Sequence, residues 1–222
     1  DFAARFRNGR FYFSTDRCRS WRGPFELPTF GRPGLLARTD YLVESKHRLT
    51  AFIAAEKDGG GEGQPLCIRT SDGGKTWEKV LFKSDGAGVI DLIMSPEDPN
   101  VLFAAVWEFD RKAWGAKTGG PESGLWKSTD GGDTWTEITR NPGLPEGQHG
   151  RIGLTMSQDD PDRVYALIDS ETKSGLYRSD DSGATWEFVS DFFQIIGRPF
   201  YYSHIYANPS NADELWSPNN RI

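Results

Sequence analysis

Three arginines, Arg38, Arg151 and Arg198, occupy comparable places near the inner strands of three sequence units. A cluster of guanidinium groups suits a carboxylate ligand, because each can grip it with two parallel hydrogen bonds. Carboxylates recur too. Glu56, Glu108 and Asp169 each fall after the second strand of a unit, so they could share one rim. Neighbouring members could then flank a scissile glycosidic bond, one of them with a raised pKa. The plainer reading makes them solvated rim charges. The densest aromatic patch runs from Phe200 through Tyr201 and Tyr202 to Tyr206, with His204 inside it. Aromatic faces of this kind stack on sugar rings or hold peptide side chains. Read as a strand, the patch puts Tyr202, His204 and Tyr206 on one face and Tyr201 on the other. Trp107 and Trp114 flank a long insertion, 109–122, and are the candidates for an exposed platform. His204 has no Cys or His at ligand spacing, so no metal site is expected. No phosphate-loop, Ser-His-Asp or Cys-His pattern is recognisable, and no cofactor is expected.

These residues need a scaffold, and the sequence states it four times. Ser14 to Trp21 reads STDRCRSW, Thr70 to Trp77 reads TSDGGKTW, Ser128 to Trp135 reads STDGGDTW, and Ser179 to Trp186 reads SDDSGATW. A motif returning roughly every fifty to sixty residues marks a repeat architecture built from one supersecondary unit. Within each copy the first Ser or Thr ends a strand. Asp16, Asp72, Asp130 and Asp181 can accept bonds from the turn backbone, and glycine supplies positive φ. Trp21, Trp77, Trp135 and Trp186 then open the next strand with a large apolar side chain.

Motifs of this form resemble Asp-boxes (BNR repeats), found on the blades of sialidase-like and sortilin-like β-propellers. The resemblance implies an all-β fold, a β-propeller of four-stranded Asp-box blades, with the box Asp and Trp residues structural. Residues 78–222 resemble bacterial sortilin-like propellers, including SPEDPN, GRIGL and RPFYYSHIYANP. Residues 1–77 resemble the repeats of exo-sialidases. The sialidase likeness implies an arginine triad on a sugar carboxylate, met by type at Arg38, Arg151 and Arg198. It also implies a Tyr–Glu nucleophile, with Tyr201 or Tyr202 and Glu56 or Glu108 as candidates, and an acid/base at Asp40 or Asp91. The R-I-P-type motif that usually precedes the first box in sialidases has no counterpart here.

Alternation and turn signals predict an outer strand pair over 9–27, full blades at about 35–82, 89–139 and 151–190, and an inner pair over 200–216. These make about four blades, either a closed ring or an arc of a larger one. An open arc would expose strand edges and favour self-association. The hydrophobic fraction of 36%, with abundant Trp, Phe and Gly, suits such a turn-rich β protein. A net charge of −6 with no Lys/Arg block argues against a nucleic-acid partner. No apolar run reaches membrane-span length. Cys18 and Cys67 admit either a disulfide between blades or two free thiols. The opening at Asp1 shows no leader pattern, and the resemblance implies a secreted or periplasmic location.

The expectation is therefore a propeller binding glycan or peptide on its central face through Trp107, Trp114, Tyr201 and His204. One alternative is a sialidase-like glycoside hydrolase. Another is a structural or chimeric propeller fragment without activity of its own.

Overall fold

The computed structural model describes residues 3–7, 9–56 and 63–218. The chain forms two compact units, Asp1–Gly88 with Arg111–Ala113, and Val89–Asp110 with Trp114–Ile222. Among the described residues, apart from two single-turn helices, the regular structure is β.

The first unit holds two antiparallel sheets. β1 (Ala3–Arg7), β2 (Arg10–Ser14) and β3 (Arg22–Glu26) form one, in that order. β1 adds a strand that the sequence does not signal as a separate run. β4 (Leu35–Val43), β5 (Leu49–Ala55), β6 (Gln64–Thr70) and β7 (Glu78–Leu81) form a four-stranded meander. The two sheets share one core, in which Phe6, Phe11 and Leu27 meet Leu49, Ala51, Ile53, Leu66 and Ile68. Trp77 closes it edge-on, its ring 5.2 Å from Phe11 and 6.0 Å from Phe6. Each buried large side chain contributes about 1.5–3 kcal/mol relative to exposure. A charged side chain is buried here as well. Arg69 is 1% exposed, and its Nε donates to Thr50 Oγ1 at 3.1 Å with the Glu44 carboxylate at 3.8 Å. Cys67 is buried and Cys18 exposed, and both are free thiols; burial pushes the Cys67 thiol up to about 12.

In the second unit, β8 (Ala87–Met94), β9 (Leu102–Glu108), β12 (Gly124–Ser128) and β13 (Thr136–Glu137) form a sheet. A hairpin of β10 (Asp110–Lys112) and β11 (Gly115–Lys117) is inserted between β9 and β12. β14 (His149–Met156), β15 (Val164–Ser170), β16 (Gly175–Ser179) and β17 (Glu187–Ser190) form the next meander. The two sheets bury Phe103, Ala105, Leu125 and Ile138 against Ile152, Leu154, Ala166 and Tyr177. Two short helices follow, α1 (Phe193–Ile196) and α2 (Pro199–Tyr202), and then the pair β18 (Tyr206–Asn208) and β19 (Asn211–Trp216). Ile205 and Leu215 pack on the outer face of the meander through Tyr165, Leu167 and Leu176. The stretch 200–207 is therefore not one strand. Arg198 takes a left-handed φ of 56° and Pro199 sits at the start of a helical turn, where its missing N–H costs nothing. As a result Tyr202, His204 and Tyr206 do not share a strand face.

All four boxes fold alike. The first Ser or Thr ends its strand, and its hydroxyl donates to the box Asp Oδ1 at 2.7–2.9 Å. The same Asp receives the backbone N–H four residues on, and its other oxygen takes that residue's hydroxyl. These bonds to the ionised form pull Asp16, Asp72 and Asp181 down to about 2, and Asp130 lower still. In three boxes the indole N–H reaches back to a turn carbonyl, from Trp77 to Gly74, Trp135 to Gly132 and Trp186 to Gly183. In the worn first copy Trp21 is 39% exposed.

A second repeated device lies on β8 and β14, each an edge strand of its sheet among the described residues. Asp91 Oδ2 accepts the Leu154 N–H at 2.9 Å, and Thr155 Oγ1 accepts the Ala207 N–H at 3.1 Å. Side chains from one blade thus occupy the open ladder edge of the next, where an unpaired N–H would otherwise recruit another chain.

Candidate functional site

The glycines of the second unit decide where a cleft forms. Gly150, inside β14, has the Asp169 carboxylate where a β-carbon would stand, with Oδ2 2.1 Å from that position. Gly119 approaches the backbone of His149 and Gly150, and the Gly120 N–H donates to His149 O at 3.1 Å. A glycine inside a strand permits this backbone-to-backbone approach. The result is a polar cleft of about 280 Å³, lined by Thr118, Gly119, Gln148, His149, Gly150, Asp169, Ser170 and Glu171.

Two carboxylates face it. Asp169 is half-buried at the end of β15, and Ser174 Oγ donates to its Oδ1 at 3.3 Å. Its Oδ2 accepts no hydrogen bond among the described residues. Burial raises the Asp169 pKa above the ordinary carboxylate value, and the Ser174 bond offsets this in part. Glu171 accepts the Gln148 N–H through Oε2 at 3.1 Å. His149 is 1% exposed, with Nε2 3.0 Å from Pro145 O. Desolvation holds its pKa below the usual histidine value, so it is neutral at pH 7. This group can accept hydroxyl donors at two carboxylates, Asp169 and Glu171.

A second group forms around Arg151 on β14. Its guanidinium lies 5.8 Å from the Trp107 ring, Nη1 donates to Phe200 O at 3.2 Å, and Nη2 is 3.0 Å from His204 Nε2. An arginine has no acceptor, so His204 accepts there and is neutral. Desolvation lowers the Arg151 pKa, and the Asp91 charge offsets this in part. Three residues singled out from sequence, Arg151, Trp107 and His204, thus come together.

The remaining candidates are dispersed. The side chains of Arg38 and Asp40 lie outside the described residues. Arg198 is exposed at the start of α2 and makes no side-chain hydrogen bond among the described residues. Tyr201 is 51% exposed and packs at a tilt against Phe200, ring centres 4.5 Å apart, while Tyr202 is half-buried. Glu56 follows β5 and covers Gly34. Glu108 ends β9, pairs with Lys117 and accepts the Glu122 N–H. Asp91 caps the edge of β14 as described. Trp107 is not an exposed platform: it is 9% exposed, packs on Phe109 at 4.3 Å and donates Nε1 to Thr118 O. Trp114, at the hairpin tip, is 86% exposed.

Sequence reasoning missed Thr118, Gln148, His149 and Glu171. The available signal was Gly150 within an apolar strand together with the Gly119–Gly120 pair. Among the described residues no three His, Cys, Asp or Glu side chains gather as metal ligands, and no helix is long and apolar enough to cross a membrane.

Comparison with known proteins follows the same lines. A family model described as Sortilin, neurotensin receptor 3, matches residues 65–212. A xyloglucanase of Paenibacillus is 28% identical over 55% of this chain and 13% of its own length. A probable oligoxyloglucan-reducing end-specific xyloglucanase of Neosartorya fischeri is 25% identical over 96% of this chain and 28% of its own. A sialidase of Bacteroides fragilis is 30% identical over 54% of this chain and 27% of its own. The chain therefore spans under a third of these relatives. Among solved structures, the GH74 xyloglucanase of Xanthomonas campestris superposes with a TM-score of 0.66 at 14% identity. That match covers 98% of this chain and 33% of the other. The likeness shows the fold, a β-propeller of Asp-box blades.

Proposed function

The chain belongs to the Sortilin-Vps10 family, and from that premise we propose that it is a glycan-recognising propeller segment whose ligand sits in the Asp169 cleft. One observation carries the reading. Asp169 is half-buried beside open space, with an oxygen that takes no protein hydrogen bond among the described residues. A carboxylate so placed presents an acceptor to the cleft, and a sugar ring offers adjacent hydroxyls that can donate to it. The relatives named xyloglucanases and sialidase support a sugar as that ligand.

Calorimetric titration of the full chain with a panel of oligosaccharides, including xyloglucan heptasaccharide, tests this. Asp169→Asn keeps the volume and removes the charge-assisted acceptor, and is expected to weaken binding about tenfold. Unchanged affinity in both Asp169→Asn and Glu171→Gln would remove the cleft from the binding surface.

A hydrolytic reading has one observation in its favour, the raised pKa of Asp169, which suits a proton donor. It also requires a second carboxylate, and Glu171 lines the same cleft. Glu108 is held by Lys117 and the Glu122 N–H. Turnover of fluorogenic glycosides by the wild type, lost in Asp169→Asn, would establish it.

A further inference from the structure

Two carboxylates, Asp169 and Glu171, and no cationic side chain line the cleft. The cations nearby in the chain are engaged elsewhere. Arg140 donates Nη1 to Pro145 O at 3.2 Å and Nη2 to Gly147 O at 2.6 Å. Arg151 holds Phe200 O and His204, Lys117 pairs with Glu108, and Lys173 lies 3.4 Å from the centre of the Phe188 ring. His149 is buried and neutral, so it supplies no charge.

Ionised carboxylates accept hydrogen bonds and cannot donate them. Asp169 Oδ2 and Glu171 Oε1 accept none among the described residues, so the cleft demands donors from its ligand. Resting on the reading of this cleft as a glycan site, we infer that it selects uncharged sugars through adjacent hydroxyl groups and rejects carboxylate-bearing sugars such as sialic or uronic acids. An anionic sugar would bring a third like charge into a partly desolvated space, where Coulomb repulsion is screened far less than in water. The same placement argues against carboxylate capture by an arginine triad at this site.

Matched pairs decide it. Full-length chain is titrated at pH 7 with lactose and 3′-sialyllactose, and with xyloglucan heptasaccharide and its C6-oxidised, uronic-acid form. Within a pair that binds, the neutral member is expected to bind at least about tenfold tighter. In the Asp169→Asn/Glu171→Gln double variant that ratio should fall below about threefold, because the repelling charges are gone. Lowering the pH should narrow the wild-type ratio, since half-buried Asp169 protonates earlier than an ordinary carboxylate. Equal or tighter binding of the carboxylate-bearing member overturns the inference while leaving the glycan reading intact. If no member of either pair binds, the glycan reading falls and takes the inference with it.

Discussion

Replacing Cys18 by glycine should make the protein more stable, although it deletes a side chain. The fifth position of each box turns through the left-handed region, with φ of 62° at Cys18, 90° at Gly74, 83° at Gly132 and 84° at Gly183. An L-residue in that region costs about 1–2 kcal/mol, which glycine avoids. Glycine in turn gives the unfolded chain extra freedom, which costs about 0.4–1 kcal/mol. Cys18 is exposed, so its loss forfeits little burial. The net gain is about 0.5–1 kcal/mol, or a Tm rise of about 1–4 °C for a chain of this size. The mirror experiment is Gly183→Ala. There a β-carbon meets the same φ penalty and stands 2.8 Å from Phe103 Cε1, inside the core of the second unit. Strain and overpacking together cost about 2–5 kcal/mol. Urea unfolding followed by tryptophan fluorescence reads both. A Cys18→Gly protein no more stable than wild type, or a neutral Gly183→Ala, would show that backbone handedness does not govern the box turn.

Two further outcomes follow from the titrating groups. Asp16, Asp72 and Asp181 are held near 2, so their contribution to stability is present above the ordinary carboxylate range and is lost as pH falls from about 4 through about 2. Unfolding midpoints measured between pH 5 and 2 should therefore drop, and the drop should shrink when box aspartates are changed to Asn. His204 lies below its ordinary 6.5, through desolvation and then Arg151. The bond from Arg151 is thus intact above that value and is lost as pH falls below it, because protonated His204 cannot accept. Hydrogen exchange across 200–207 should quicken on acidification beyond the intrinsic rate change. His204→Gln, which keeps an acceptor, should abolish the excess, and an unchanged excess would detach His204 from this contact.

Much of the fold was legible because the box is a local device. Its Ser, Asp, Gly and Thr bond to one another within a few residues, so their order alone specifies the turn, and Trp77 or Trp186 marks the strand beyond it. Short apolar runs between turn signals then located β5, β9 and β15, most of whose residues are buried on both faces. β1 escaped because five residues, AARFR, carry too little pattern by themselves, and their pairing with β2 is a tertiary event. The 200–207 stretch misled because aromatic β-propensity was outweighed by the backbone restriction at Arg198–Pro199. The site was only partly legible, for the same reason. Residue types could nominate Arg151 and Asp169, but no spacing rule reports that Gly150 lies under the Asp169 carboxylate, or that Phe200 O and His204 occupy Arg151. Charge and hydrogen-bonding capacity belong to the sequence. Which of those capacities is spent within the protein, and which faces a ligand, depends on contacts between residues tens of positions apart, and only the packed blades decide that.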